Sequence, residues 1–189
     1  MYARVMRDSC LLIPFDEFCS DVLRFLNVAP TQLHPNDWAY IRSFQFVCSA
    51  LGITPTIPLF FSHYLTRPGK KVGWLSLISQ SCNCLFKPYS SSYKHFKDTF
   101  VKISYGEAGR EYIFNGKEPK FPLCWTRSPA HIAFWPQSGL SAKDISALSV
   151  LDILLRSIPS QDILNTYRCE DPTSAVFGML LFLLCLDDF

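Results

Sequence analysis

A chain of 189 residues that is 49% hydrophobic and 18% charged carries enough apolar material for one packed domain, which excludes a disordered polypeptide. Aromatic side chains make up 15% of it, mostly phenylalanine, and point to a dense core or an adhesive surface. The net charge of +2 conceals an asymmetry: residues 67–120 hold ten basic and four acidic side chains, whereas residues 141–189 hold three basic and seven acidic ones.

Phe15, Phe18, Cys19, Val22, Phe25 and Leu26 recur at helical spacing and predict a first helix over 14–28, ended by Ala29-Pro30. A second is predicted over 37–51, with Trp38, Ile41, Phe44, Val47, Cys48 and Leu51 on one face and Gly52 as a left-handed stop. At its start, Pro35 stiffens the approach, Asn36 is the expected N-cap, and Asp37 sits where the helix dipole favours negative charge. A third helix is expected over 55–65, since first-turn amides tolerate Pro55 and Pro58.

The pattern then changes. Strands are expected over 72–78, 99–105 and 110–114, with a short helix over 91–97 and a turn at Asn115-Gly116. Residues 117–139 are proline-rich and irregular, with Phe121, Leu123, Trp125, Phe134 and Trp135 expected to pin them to the body. Ser141 and Asp144 form a capping-box pattern before a stripe of Ile145, Leu148, Leu151, Leu155 and Ile158, broken by Pro159. Asp171-Pro172 opens a last helix. Its apolar run from Ala175 to Leu186 is twelve residues. A membrane span needs about twenty, so a buried terminal helix is expected.

Chemistry is sparse. Eight cysteines would mean a disulfide framework only in a small secreted chain. Residues 1–10 carry Arg4, Arg7 and Asp8 without an apolar core of signal-peptide length, so a reduced, intracellular protein is expected. Cys48 and Cys185 sit at apolar positions, where a thiol acts as a small hydrophobe. Cys82-Asn83-Cys84 lacks zinc-site spacing, and His34, His63, His95 and His131 stand apart. No nucleophile-elbow, phosphate-loop, dinucleotide or zinc-protease motif occurs, so neither catalysis nor a cofactor is expected.

Helices 37–51 and 55–65 have helix–turn–helix lengths, but PTIPLFFSHYL offers no arginine, asparagine or glutamine to base edges. The basic segment is the better nucleic-acid candidate, through Lys70, Lys71, Lys87, Lys94, Lys97 and Lys102 with Tyr93, Phe96, Phe100 and Tyr105 interleaved. Against it stands the plainer reading of those lysines as a solvated face and those aromatics as core.

A-P-T-Q-L-H-P-N-D-W (Ala29 to Trp38), followed by F-x-x-x-C (Phe44 to Cys48) and L-G-I-T-P-T (Leu51 to Thr56), resembles the gypsy-type transposon domain family of plant open reading frames, also labelled transposase-like. Gly73-Trp74, Lys97 before Thr99-Phe100-Val101, and F-P-L-C-W (Phe121 to Trp125) fit its later part, with Phe96-Lys97 where the family has a tryptophan–lysine step. The combined string is fairly specific and none of its pieces is specific alone; coverage is good from Pro14 to Tyr105 and thins towards Trp125. The resemblance implies a retroelement origin and a leading, Gag-like portion often followed by a coiled coil. It implies no reaction and supplies no catalytic residues. Because Phe189 comes before any such coiled coil, a fragment or degraded reading frame is expected.

The resulting expectation is an α+β fold with an N-terminal three-helix layer, a small central antiparallel sheet and C-terminal helices. Residues 1–140 are assigned to the transposon domain and 141–189 to a truncated helical extension. The expected activity is non-enzymatic: association with itself or with a retroelement-encoded protein. Nucleic-acid binding is the alternative, and a transposase-type nuclease is the least favoured.

Overall fold

The computed structural model describes residues 1–69, 73–80, 84–154, 156–168 and 170–185. Its first helices are α1 (Ala3–Asp8), α2 (Glu17–Leu26), α3 (Pro35–Ala50) and α4 (Ile57–Phe61). Asp16 caps α2 by accepting the Cys19 amide at 2.8 Å, which satisfies a first-turn donor that lacks a helical partner. The helix stops at Asn27, whose left-handed backbone (φ 53°) closes it before the expected Ala29-Pro30 break.

The expected inner face of α3 is buried: Trp38, Ile41, Phe44, Val47 and Cys48 are each 0% exposed. So are residues that its sequence would leave on the other face, Tyr40, Arg42 and Phe46 among them. The cause is tertiary, since α1, α7 (Ser160–Thr166) and α8 (Pro172–Cys185) all pack on α3. Gly52, at φ +67°, ends this segment in the conformation expected of it.

The third helix is shorter than its pattern. α4 stops at Phe61, and Tyr64–Pro68 becomes strand β1, paired antiparallel with β2 (Leu75–Ser79) from Tyr64↔Ser79 to Pro68↔Leu75. Leu59, Phe60, Phe61 and Tyr64 are all 0% exposed, so burial is satisfied in either state. The ladder across the Pro68-Gly69 turn decides in favour of strand.

Two other strands of the expected sheet do not form. Of 99–105, only Phe100 makes a bridge, to Tyr2, because no longer strand lies beside it. Of 110–114, residues Arg110–Ile113 form the short helix α5, and only Phe114 enters β4 (Phe114–Asn115). β4 pairs with β5 (Glu118–Pro119) around the expected turn. The expected helix over 91–97 is a turn at residues 94–97, with His95 at φ 61°. β3 (Phe86–Lys87) pairs in parallel with β6 (Ile158–Pro159). The architecture is mixed α+β, but among the described residues its strands form three separate pairs and not one central sheet.

Within 117–139, Phe121 is buried and Trp135 half-buried. Leu123, Trp125 and Phe134 are 47%, 44% and 70% exposed, so they pin less than their apolarity suggested. α6 (Ala142–Ile153) opens on the expected capping box: Ser141 Oγ accepts the Asp144 amide while Asp144 accepts the Ser141 amide. Its stripe is only partly buried. Leu151 is enclosed, Ile145 is 54% exposed, Leu155 lies outside the described residues, and Ile158 is buried from β6. In α8, Val176 and Leu180 are buried while Phe177 and Leu181 remain 41% and 46% exposed. Leu151, Leu154, Ile163, Leu164, Val176 and Leu180 join the same hydrophobic cluster as α2, α3 and α4. No described helix is long and apolar enough to cross a membrane.

Candidate interaction surface

The polar residues of the stretch 29–38 each reach a different part of the chain. Gln32 is 0% exposed; its Oε1 accepts the amides of Ala29 and Thr126, and its Nε2 donates to the carbonyls of Gly73 and Thr126. Trp38 Nε1 donates to the Pro30 carbonyl at 3.0 Å, and Trp125 Nε1 donates to Thr31 Oγ1 at 2.6 Å. Such reciprocal bonds make the stretch a clamp on the loops at residues 73, 90 and 126.

The helix cap lies two residues before its expected place. His34 is the N-cap, its Nδ1 accepting the Asn36 amide at 3.2 Å while Asp37 Oδ2 accepts the His34 amide at 2.9 Å. Asn36 is thereby freed to pair with Ser90, donating to its carbonyl and accepting its amide. Asp37 also accepts the Leu77 amide at 2.9 Å, tying α3 to β2. Burial raises its pKa to about 8, and the two backbone donors offset part of that rise. The His34 ring packs edge-on against Tyr93 and Phe96. Burial first, then the nearby Lys97 charge, lowers its pKa.

The other histidines occupy separate settings. His63 is fully buried, neither ring nitrogen has a partner among the described residues, and desolvation lowers its pKa to about 4. His95 is exposed and its Nδ1 lies 3.0 Å from Asp98; His131 is exposed. Among the described residues no three His, Cys, Asp or Glu side chains gather as a metal-ion set. Of the close cysteine pair, Cys82 lies outside the described residues, and Cys84 donates its thiol to the Phe86 carbonyl. Burial pushes the Cys48 thiol up to about 12, which makes it an inert core group.

An ion pair not foreseen from sequence joins α2 to α3, with Arg42 buried and the Asp16 side chain 44% exposed. Arg42 Nη1 donates to Asp16 Oδ2 at 2.9 Å and to Gln45 Oε1 at 2.8 Å. Its guanidinium lies 4.6 Å from the Phe46 ring centroid, and Phe46 stacks on Tyr167 at 3.7 Å. The spacing of Arg42 and Phe46 in one helix was a visible signal, but Tyr167 and Asp16 come from distant segments.

Of the six lysines singled out, Lys70 and Lys71 lie outside the described residues, and the other four are exposed. Lys87 stands on β3, paired with β6, and Lys94 and Lys97 stand on the turn at residues 94–97. Lys97 Nζ sits 3.9 Å over the Trp74 ring, inside a cluster with Phe96, Tyr2 and Trp125. The aromatics divide: Tyr93 and Phe96 are core, whereas Phe100 and Tyr105 are 70% and 46% exposed.

Those two belong to residues 99–105, of which Phe100 alone is bridged, beside a groove of about 430 Å³. Ile13, Phe15, Phe121 and Leu123 also line the groove. The Ala3 amide donates to the Thr99 carbonyl at 3.0 Å, and Met1 and Val101 exchange bonds of 2.7 and 2.8 Å. Beyond Val101, no backbone hydrogen bond ties residues 102–105 to other described residues. Phe100, Val101, Ile103, Tyr105 and Leu123 thus leave an exposed apolar band beside a backbone without further partners among the described residues.

No curated protein and no solved structure matches the chain. The family model described as "putative gypsy type transposon" matches residues 5–68, a span that begins within α1 and holds α2 to α4, the stretch 29–38 and β1. Residues 5–68 are thus a gypsy-type transposon-derived domain.

Proposed function

We propose that this chain is a non-enzymatic, Gag-like interaction domain that associates with further copies of itself or with a retroelement-encoded protein. The apolar band formed by Phe100, Val101, Ile103, Tyr105 and Leu123, each between 41% and 70% exposed, carries the reading. Leaving such a band in water forfeits roughly 25 cal/mol per Å² of apolar surface that a partner would cover. The separate settings of His34, His63, His95 and His131 support a non-catalytic role. Light scattering over a concentration series tests the association. A mass that rises above 21.6 kDa is expected, and a strict monomer at high concentration and low salt overturns it. Metal-dependent strand cleavage or joining by the folded protein would overturn the non-enzymatic part.

One observation favours a second reading, nucleic-acid binding. Lys94, Lys97 and Lys102 are exposed together with Phe100, offering phosphate and stacking contacts along one short stretch. Affinity for single strands would then fall steeply with salt, and absent or salt-insensitive binding removes this reading.

A further inference from the structure

We infer that the cavity lined by Asp16, Arg42, Phe46 and Tyr167 binds a small neutral ligand that carries a primary carboxamide on a flat ring. Its volume of about 690 Å³ is within the range of small-molecule sites. No residue of the apolar band proposed for association lines it, so the two readings stand or fall separately. Arg42 is the group that points to a ligand. Its side chain is only 6% exposed and lines the cavity. Among the described residues Nη1 makes both hydrogen bonds of the guanidinium, to Asp16 and Gln45, and the buried Nε has no partner. A buried donor without an acceptor is costly, and an acceptor entering the cavity at the Nε–Nη2 edge would relieve that cost.

Charge selects the kind of ligand. Among the described residues Asp16 and Arg42 are the only charged side chains that line the cavity, and they pair at 2.9 Å, which leaves the site neutral. A carboxylate ligand would add an unbalanced charge beside Asp16, and a cationic one would add it beside Arg42. A neutral group avoids both. It must accept from Arg42, and it can donate to Asp16, whose side chain is 44% exposed. The Asp16 oxygens already accept from Cys19, Gln45 and Arg42, and a carboxylate has roughly four acceptor positions, so one remains. A primary carboxamide carries the required acceptor and donor side by side. The stack of Phe46 on Tyr167 gives an aromatic wall against which a flat ring packs.

Three compounds of one shape test this: benzamide, benzoate and benzamidinium, each titrated into the full chain near neutral pH, with binding read by ligand-observed NMR. Benzamide should bind with a Kd of about 1 mM or tighter, a range open to a ligand of its size. Benzoate lacks the donor and benzamidinium the acceptor, and each should bind about tenfold more weakly or worse. Arg42→Met should weaken benzamide binding by about tenfold or more, with circular dichroism confirming the fold. Ser49 is exposed and lines the cavity, so Ser49→Trp should block the same binding while leaving Arg42 in place. Benzoate or benzamidinium binding as tightly as benzamide overturns the neutral class of ligand. Affinity for benzamide that is equal in the parent and in both variants overturns the site. A parent chain that shows no saturable benzamide binding up to about 20 mM overturns the inference as a whole.

Discussion

Asp37 and Leu77 are joined by a 2.9 Å hydrogen bond from the Leu77 amide to a carboxyl oxygen that is wholly buried. The other oxygen of the same group accepts the His34 amide, so one side chain both caps α3 and holds β2 against it. Replacing Asp37 with Ala strips the buried Leu77 amide and the half-buried His34 amide of their acceptor and should destabilise the fold by about 2–4 kcal/mol. The pH dependence follows from a pKa raised from 3.8 to about 8 by burial. Its stabilising contribution is fully present below 3.8 and is lost as pH rises through about 8. Stability from urea melts should therefore fall between about pH 6.5 and 8, above the range in which His63 titrates, and Asp37→Asn should flatten that decline. An unchanged slope in Asp37→Asn would assign the titration to another group.

His63 works in the opposite direction. Its pKa is lowered from 6.5 to about 4, mainly by burial, with the Arg156 charge adding and Asp152 opposing. The unfolded chain takes up the proton first, so stability is intact above 6.5 and is lost as pH falls towards 4. The loss is about 3 kcal/mol at most. His63→Phe should be neutral or stabilising at pH 7, since neither ring nitrogen has a partner among the described residues. It should also remove most of the decline between pH 6 and 4. A variant that melts several degrees lower at pH 7 would mean that the ring nitrogens are satisfied.

Asp16 and Arg42 predict an asymmetric result. Asp16→Ala removes the α2 cap and leaves the buried Arg42 charge with only Gln45, and should destabilise by about 3 kcal/mol. Arg42→Met keeps the aliphatic packing against Phe46 and removes a guanidinium whose Nε is buried without a partner among the described residues. That exchange should change stability by less than about 1 kcal/mol. Equal losses in the two variants would mean that the charge pair itself stabilises α2 against α3.

How much of this could be read in advance depended on distance along the chain. Helices α2, α3, α6 and α8, the Gly52 stop, the Ser141–Asp144 box and the Asn115-Gly116 turn rest on neighbours a few residues apart, and each was legible. The α4–β1 boundary was not, because PLFFSHYL buries equally well as helix or strand, and pairing with Leu75–Ser79 settles it. The apolar alternation of 99–105 suggested a strand, but a strand needs a second strand, and among the described residues only the segment at Tyr2 is bridged to it. The clamp was half legible. A helix start could be read from Pro35 and Asp37, whereas the reach of Gln32, Asn36 and Asp37 to Thr126, Ser90 and Leu77 could not. At the surface, the sequence named the basic lysines, yet the exposed apolar run between them is what distinguishes the segment.

Two glycines with similar backbones should respond differently to the same substitution. Gly52 and Gly73 both have positive φ, +67° and +98°, so an alanine is strained at either. At Gly52 an added Cβ meets nothing within 4 Å, and Gly52→Ala should cost only the backbone term of about 1 kcal/mol. At Gly73 the Cβ would lie 2.8 Å from Trp125, whose indole is held by its bond to Thr31. Relief there requires the indole to leave Thr31, loosening the contact between the clamp and residues 125–126. Gly73→Ala should accordingly be the more destabilising of the two by at least about 1 kcal/mol. It should also red-shift tryptophan emission, while Gly52→Ala leaves emission unchanged. Equal stability losses with identical spectra would show that Trp125 yields without cost and does not seal the clamp.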